Sequence, residues 1–516
     1  MERYRQKIYG NRHRLMFYAV FFLAAIIRMV QFGQHPAGLN QDEASIGYDA
    51  YALMKYGIDR CGCTLPVHLM AWGSGQNALY AYLSMPFIAL LGLNVFSVRL
   101  VNLIFALISL PAMYAGVKSI SGKRAGLAAM ALLAISPWNI MLSRWGLESN
   151  LFPSLLIIAF WLVMTCTKSR IRLFAGAVIL AACLYSYGAA YLVITVFIGL
   201  CAVFYLFALK KKKAPLPMPR LIGAAALYAL LSLPIYLFML INVFGLDTIH
   251  IGALTIPHTY GGRIASSAGA TPLSALKNFA MMCILQTDGY SRNAFPFYGC
   301  FYVISLPFAV YGMIKEAKSK KRAAVPLFAL LVSSLLLFAF YGEPNINRVN
   351  AVYVPLIIFT ALGIEALWPK RKVFAAVCLA YALCFAGFNA KYFGREFKEE
   401  VGTEFFESFG DALAAADMSR TDDSPVHVCT QVNMPYIYAL FYTRPDPHVF
   451  VETVEYYNPG GQFQAAHAYK GWRFDFNDLL DPQKGVYVIE NENVPYISQF
   501  TDKIYMFKNY SVAVIG

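Results

Sequence analysis

The apolar run "LMFYAVFFLAAIIRMVQFG" (residues 15–33) leads almost directly into "GLNQDEASIGYDAYALMKYGIDRCG" (residues 38–62). A segment suited to lipid therefore opens onto two adjacent carboxylates, Asp42 and Glu43. Roughly 20 consecutive apolar residues in a helix cross the hydrocarbon core of a bilayer, and the rest of the chain repeats the pattern. Of 516 residues, 58% are hydrophobic and 14% charged, and the mean hydropathy of +0.51 excludes a soluble enzyme of this length. Eleven spans are read near residues 15–33, 97–117, 125–143, 151–167, 173–187, 189–209, 221–244, 296–314, 323–341, 351–368 and 373–389. The first run is long and no A-x-A site follows it, so it is expected to stay as an anchor.

The formal net charge is +14, and its distribution points to topology. Lys and Arg cluster at 1–14, 118–124, 168–172, 210–213 with Arg220, 315–322 and 370–372. With a cytoplasmic N-terminus, eleven spans put every cluster on the cytoplasmic side. Contact with anionic lipid explains these runs better than nucleic acid does. Outside lie 34–96, 144–150, 185–188, 245–295, 342–350 and everything after about 390. The run "ALYAYLSMPFIALLGL" (78–93) is short, Tyr-rich and interrupted by Pro86, as suits an interfacial helix. Counted as a span, it would turn every later basic cluster outward. Cys61, Cys63, Cys283 and Cys429 are the cysteines expected outside. They form no disulfide framework, and "CGC" is too tight for an unstrained bridge or a zinc site by itself.

Near residue 390 the composition changes. Strand-length runs "PVHVCT", "HVFVET", "GVYVIE" and "YSVAVIG" alternate with helical patterns "EFFESFGDALAAAD" and "MPYIYALFY". The expected architecture is a polytopic α-helical membrane protein of about 11 spans, residues 1–390, with external loop 34–96 carrying the acid pair. A small extracytoplasmic α/β domain, residues 391–516, follows.

Taken alone, Asp42 reads as a first-turn acid that satisfies free amides and the helix dipole. The outward turns "SRWGLESN" (143–150) and "EPNINRVN" (343–350) add Arg144, Glu148, Glu343 and Arg348. Acids and arginines converging at one membrane face suit a site that activates a hydroxyl and holds a phosphate.

The first 210 residues resemble the C-type glycosyltransferases that use polyprenyl-phosphate sugars. The resemblance is to the family 39 branch of protein O-mannosyltransferases and lipid A aminoarabinose transferases. The matching marks, in order, are the first span, the "DE" pair, "LYAYLSMP" with "LLGLNVFSVRL", "GKRAGLAAMALLAISPWNIMLSR" and "LYSYGAAYL". Later, "NINRVNAVYVPL" resembles the family's Arg-to-Pro segment. The resemblance implies that Asp42 is the general base, that Glu43 supports it and that Glu148 is the second acidic position, where the family more often has Asp. It matches Arg99 to the family's "RL" arginine and Arg348 to the arginine that faces the donor phosphate. Arg99 and Arg144 are expected with Arg348 at that phosphate, and Tyr48, Gln76, Tyr82 and Tyr187 at the substrate. The aminoarabinose branch tends to carry Lys where this chain reads "GSGQNALYAY", with Gln76 and Asn77, so an aminoarabinose donor is not expected. A bacterial relative in the plasma membrane is.

Such a donor carries its own leaving group. One carboxylate would deprotonate the acceptor hydroxyl while a cation stabilises the departing phosphate, and a single displacement inverts the anomeric centre. A divalent ion, Mg or Mn, could share the phosphate with Asp42 and Glu148, although no metal motif marks it. Protein, wall polymer and glycolipid all remain open as acceptors. The rival reading is a lipid-linked sugar flippase or multi-span transporter, but such proteins place ionisable groups near the bilayer midplane, whereas here the charges crowd the ends of the spans. A membrane-anchored binding protein would not need so many spans.

Overall fold

In the computed structural model, the residues described are 2–72, 75–259, 261, 271–295, 297–319, 323–343, 345–421, 424–461, 463–475, 479 and 481–516, with side chains from residue 11 onward. Part of the 1–14 basic cluster, residues 320–322 of the next-to-last cluster and part of external loop 245–295 fall outside these. The chain parts into two compact units, one of Met1–Phe32, Asn102–Leu233 and Ile264–Gly394, the other of Gly33–Val101, Pro234–Arg263 and Arg395–Gly516.

The first unit is helical because its long apolar runs leave the backbone no partner but itself. Six helices among the described residues are individually long and apolar enough to cross a membrane: Val95–Ile135, Glu148–Lys168, Ala189–Lys210, Met218–Phe244, Ile346–Glu365 and Arg371–Tyr392. The first of these covers two expected spans and breaks at Gly122, whose φ of 88° only glycine adopts without strain. The helices Glu2–Met29, Arg170–Leu184, Leu306–Ser319 and Ala324–Phe340 coincide with the remaining expected spans. One boundary differs. The span expected from residue 296 becomes helical only at Leu306, after a 3-10 turn at Val303–Ser305. Positive φ at Phe297, Gly299 and Tyr302 bends this apolar stretch out of a helix, so apolarity here does not mean helicity.

Buried arginines close the helix ends. Arg28 donates to the carbonyls of Ala24 (3.1 Å), Leu133 (3.3 Å) and Ala134 (3.0 Å) and to Asn139 Oδ1 (2.7 Å). Arg144 donates to those of Ile27 (3.3 Å), Arg28 (2.8 Å) and Gln31 (3.0 Å). The Leu133, Ala134, Ile27 and Arg28 carbonyls lie in the last turns of their helices, where the backbone runs out of amide donors. Leu306–Ser319 and Tyr353–Glu365 approach through Gly312, against the Phe359 carbonyl, and Gly363, against that of Phe308, where no side chain would fit.

The second unit joins the loop that follows the first helix to the tail. Its seven-stranded sheet runs, edge to edge, Lys503–Met506, Tyr510–Ile515, Gly485–Glu490, Val426–Cys429, Trp472–Arg473, Ala466–Tyr469 and Glu455–Tyr456. Val426–Cys429 pairs in parallel with both its neighbours, and the other pairings are antiparallel. Cys429, Tyr487, Ile489, Ile497 and Ala513 form a core cluster in which the alternation of "VHVC" and "GVYVIE" is legible. "HVFVET" is not a strand. It lies in the helix Pro447–Thr453, where Asp446 caps the His448 amide and Pro447 starts the first turn, so the N-terminal signal overrides β propensity. The loop helix Gln41–Tyr56 meets the tail helix Pro435–Thr443 at Gly47, where Phe441 and Val98 leave no room for a β-carbon. The Asn433 amide donates to Gln41 Oε1 at 2.7 Å, and Leu39 N to the Phe405 carbonyl at 2.8 Å.

Candidate active site

The acid pair sits in the first turn of Gln41–Tyr56, and the two carboxylates do different things. Asn40 is the cap. Its side chain accepts from the Asp42 amide (2.9 Å), while Glu43 Oε2 accepts from the Asn40 amide (3.0 Å), a reciprocal capping box. Glu43 is fully buried and also takes the guanidinium of Arg99 in a bidentate pair, Nε to Oε1 at 2.7 Å and Nη2 to Oε2 at 2.9 Å. Arg99, expected at a donor phosphate, is itself 0% exposed and donates further to the carbonyls of Pro36 (2.7 Å) and Gly38 (3.0 Å).

Asp42 is half-buried. Its Oδ1 accepts from the Trp72 indole at 2.9 Å. Helix capping is thus carried by Asn40 and Glu43, and Asp42 faces a neutral donor. Farther along the helix, Arg60 donates to Ser45 Oγ (2.7 Å) and the Met70 carbonyl (3.0 Å), and its Nη1 lies 3.5 Å from Asp49 Oδ2. Ser45 passes its own proton to Gln76 Oε1 at 2.6 Å. Burial raises the Asp49 carboxyl, opposed by Arg60. Asp59 is raised to about 7, by burial first and then by Asp49, although Cys61 and Cys63 donate their amides to it. Burial also pushes the Cys63 thiol up to about 12, away from a reactive thiolate, and all ten cysteines are free.

The expected substrate residues are mostly committed to the fold. The Tyr48 hydroxyl donates to the Pro445 carbonyl and that of Tyr82 to the Pro66 carbonyl, both at 2.8 Å. Gln76 is held by Ser45, with Nε2 buried and without a partner among the described residues. The second unit therefore brings together Asp42, Glu43, Arg99, Tyr48, Gln76 and Tyr82.

In the first unit, Glu148 is 3% exposed and opens the helix Glu148–Thr165. Asn102 supports the preceding turn through the Trp145 and Leu147 carbonyls. Arg144 is occupied at a helix end, and Tyr187 is buried in its turn. Arg348 differs. It is exposed over the Tyr341 ring, 5.6 Å from the centroid, and its guanidinium has no polar partner among the described residues. Its segment is docked by Asp288, which accepts from the Ile346 amide (2.9 Å) and the Asn293 side chain (2.8 Å).

Among the described residues no three His, Cys, Asp or Glu side chains gather as metal ligands, and the Glu43 charge is already balanced by Arg99. Trp72, Arg60, Asp49, Ser45 and Asn40 were not foreseen. Of these, Asn40 was readable, since N-x-x-E before a helix is a capping signature.

No protein-family model and no curated protein sequence matches the chain. Solved structures do. ArnT from Cupriavidus metallidurans in the apo state superposes with a TM-score of 0.56 at 13% identity, over 98% of each chain. ArnT bound to undecaprenyl phosphate gives 0.55 at 14%, over 97% of each. The oligosaccharyltransferase AglB from Archaeoglobus fulgidus, with an inhibitory peptide and a dolichol-phosphate, gives 0.53 at 11%, over 98% of this chain and 74% of that one. At such identities the likeness carries the fold alone, and the fold is that of ArnT and AglB, a polytopic helical membrane protein with a C-terminal α/β domain.

Proposed function

We propose that this protein is a membrane glycosyltransferase that moves a sugar from a polyprenyl-phosphate donor to an extracytoplasmic acceptor hydroxyl, with inversion. The observation that carries the reading is the division of labour in the acid pair: the Arg99 guanidinium binds both oxygens of Glu43, while the Asp42 carboxylate accepts from the Trp72 indole. Both oxygens of Glu43 are taken by a guanidinium and its helix-cap amide, so the role of proton acceptor is assigned to Asp42. The acceptor oxygen attacks the anomeric carbon as Asp42 takes its proton, and the bond from that carbon to the phosphate oxygen breaks. Polyprenyl phosphate leaves with the electron pair, and Asp42 returns the proton to water. Arg348 is assigned to the donor phosphate because its guanidinium is exposed and free of polar partners among the described residues. The lipid-phosphate ligands of ArnT and AglB support this donor class.

The reading also places the protein in a bacterial plasma membrane, with the N-terminus and lysines 210–213 cytoplasmic and residues 391–516 outside. A reporter cysteine in the tail should label from outside and one beside Lys211 should not. The reverse pattern would overturn the topology.

The functional test is Asp42→Asn in purified protein supplied with a polyprenyl-phosphate sugar. Release of free polyprenyl phosphate should fall at least about a hundredfold with an unchanged melting profile, because Asn40 and Glu43 carry the capping. Near-normal turnover would remove Asp42 as the base. Movement of the intact lipid-linked sugar across the bilayer without release would favour a flippase.

A further inference from the structure

Asp42, Ser45 and Asp49 fall at i, i+3 and i+7 of the helix Gln41–Tyr56 and so share one face. Arg60 and Trp72 bond to that face, Trp72 at Asp42 and Arg60 at Ser45 and Asp49. The Arg60 guanidinium stands 5.3 Å from the centroid of the Trp72 ring and is fixed at three points: Ser45 Oγ, the Met70 carbonyl and Asp49. Ser45 can serve Arg60 only as an acceptor, because its own proton goes to Gln76 Oε1, so the order of the chain from Gln76 to Arg60 has one direction. Arg60 and Asp49 are almost wholly buried, and the proposed reaction uses neither.

From this arrangement we infer that Trp72 is the positioning residue for the Asp42 carboxylate, and that Arg60 is the clamp that holds Trp72 in place. The inference rests on the reading of Asp42 as the base. A neutral indole donor fixes the plane of a carboxylate without cancelling its charge, whereas a guanidinium, as at Glu43, would cancel it. Arg60 lies against the ring, so it acts on Asp42 through Trp72. Stacking against a guanidinium also restricts the indole, since a planar cation over an aromatic face resists rotation of either partner.

The test is Trp72→Phe in the full-length protein, which keeps a ring and removes the donor. Turnover should fall about tenfold with donor KM unchanged, and the acidic limb of the pH–kcat profile should move to higher pH, because the charged form of Asp42 loses a hydrogen bond. Among the described residues, Glu43 lies beside Asp42 in the sequence and Tyr438 interacts with its charge, and Trp72→Phe alters neither, while the Arg60 charge keeps its bonds to Ser45 and Asp49. A merely structural tryptophan would lower the melting temperature and leave the pH limb of the folded fraction where it was. Arg60→Lys keeps the charge beside Asp49 but loses the stacking plane, and should show the same shift in weaker form. It carries the test if Trp72→Phe does not fold, and an unchanged profile in the folded variant overturns the inference. Near-normal turnover in Asp42→Asn sinks the base assignment. Collapse of Asp42→Asn beside a wild-type profile in Trp72→Phe sinks only the role of Trp72.

Discussion

Both units bury arginines, but they satisfy them differently. In the helical unit, Arg28 and Arg144 each clasp three main-chain carbonyls at helix ends. In the loop-and-tail unit, Arg99 and Arg60 are held against carboxylates, Glu43 and Asp49. The difference follows from what each region lacks. A helix buried in apolar surroundings has unsatisfied carbonyls at its end, and a cation there supplies donors where water cannot. In the second unit the buried cations also reach loop carbonyls, Pro36 and Gly38 for Arg99 and Met70 for Arg60, but each has a buried carboxylate beside it as well. Of the three arginines expected at the phosphate, Arg99 and Arg144 are buried in these contacts and Arg348 is exposed.

Arg99→Met should break the comparison most sharply, because it leaves Glu43 buried without its cation and should destabilise by about 3–5 kcal/mol. Thermal unfolding in detergent reads this, and adding Glu43→Gln should restore much of the loss. Equal stability of the single variant would mean that Glu43 is not charged in the fold. Arg144→Met removes donors from carbonyls, so its cost should be smaller, about 1–3 kcal/mol in the same measurement. A cost equal to that of Arg99→Met would erase the distinction between the two kinds of burial. Arg348→Ala should leave stability unchanged and raise the donor KM roughly tenfold, as expected for a charge-assisted contact partly screened by water. Arg348→Lys should recover only part of this, since a point charge lacks the fork, and unaltered donor kinetics would exclude the residue.

The last prediction concerns Asp59 and reads the shape of the stability profile with pH. Its folded-state pKa of about 7 lies above the unfolded value near 4, so the folded state binds the proton more tightly. Stability contributed by this group is present at low pH, declines as pH rises from about 4 to 7, and is level above. Asp59→Asn should flatten that part of the stability profile. A profile that rises across the same window in the wild type and is unaltered in the variant would contradict the burial of this carboxyl.

Much of this molecule was legible in the amino-acid sequence. Apolar run length and the positions of Lys and Arg located the helices of the first unit, because a bilayer imposes its thickness on each segment separately. The misjudged start before Leu306 shows the limit, since positive-φ residues do not announce themselves in an apolar run. "HVFVET" failed for the opposite reason: its Asp-Pro start was visible and outweighs β-branched alternation. At the candidate site, the sequence marked the acid pair but could not divide it.

By itself, then, the sequence determined the membrane-spanning class, the helices, the α/β tail and the presence of two adjacent acids at the opening of a helix. These are properties of segments, set by local composition and period. Only the tertiary structure decided which acid is neutralised. Arg99 reaches Glu43 across 56 residues and Trp72 reaches Asp42 across 30. Neighbouring side chains on a helix point about 100° apart, so the choice between Asp42 and Glu43 depends on which distant segments fold against each side.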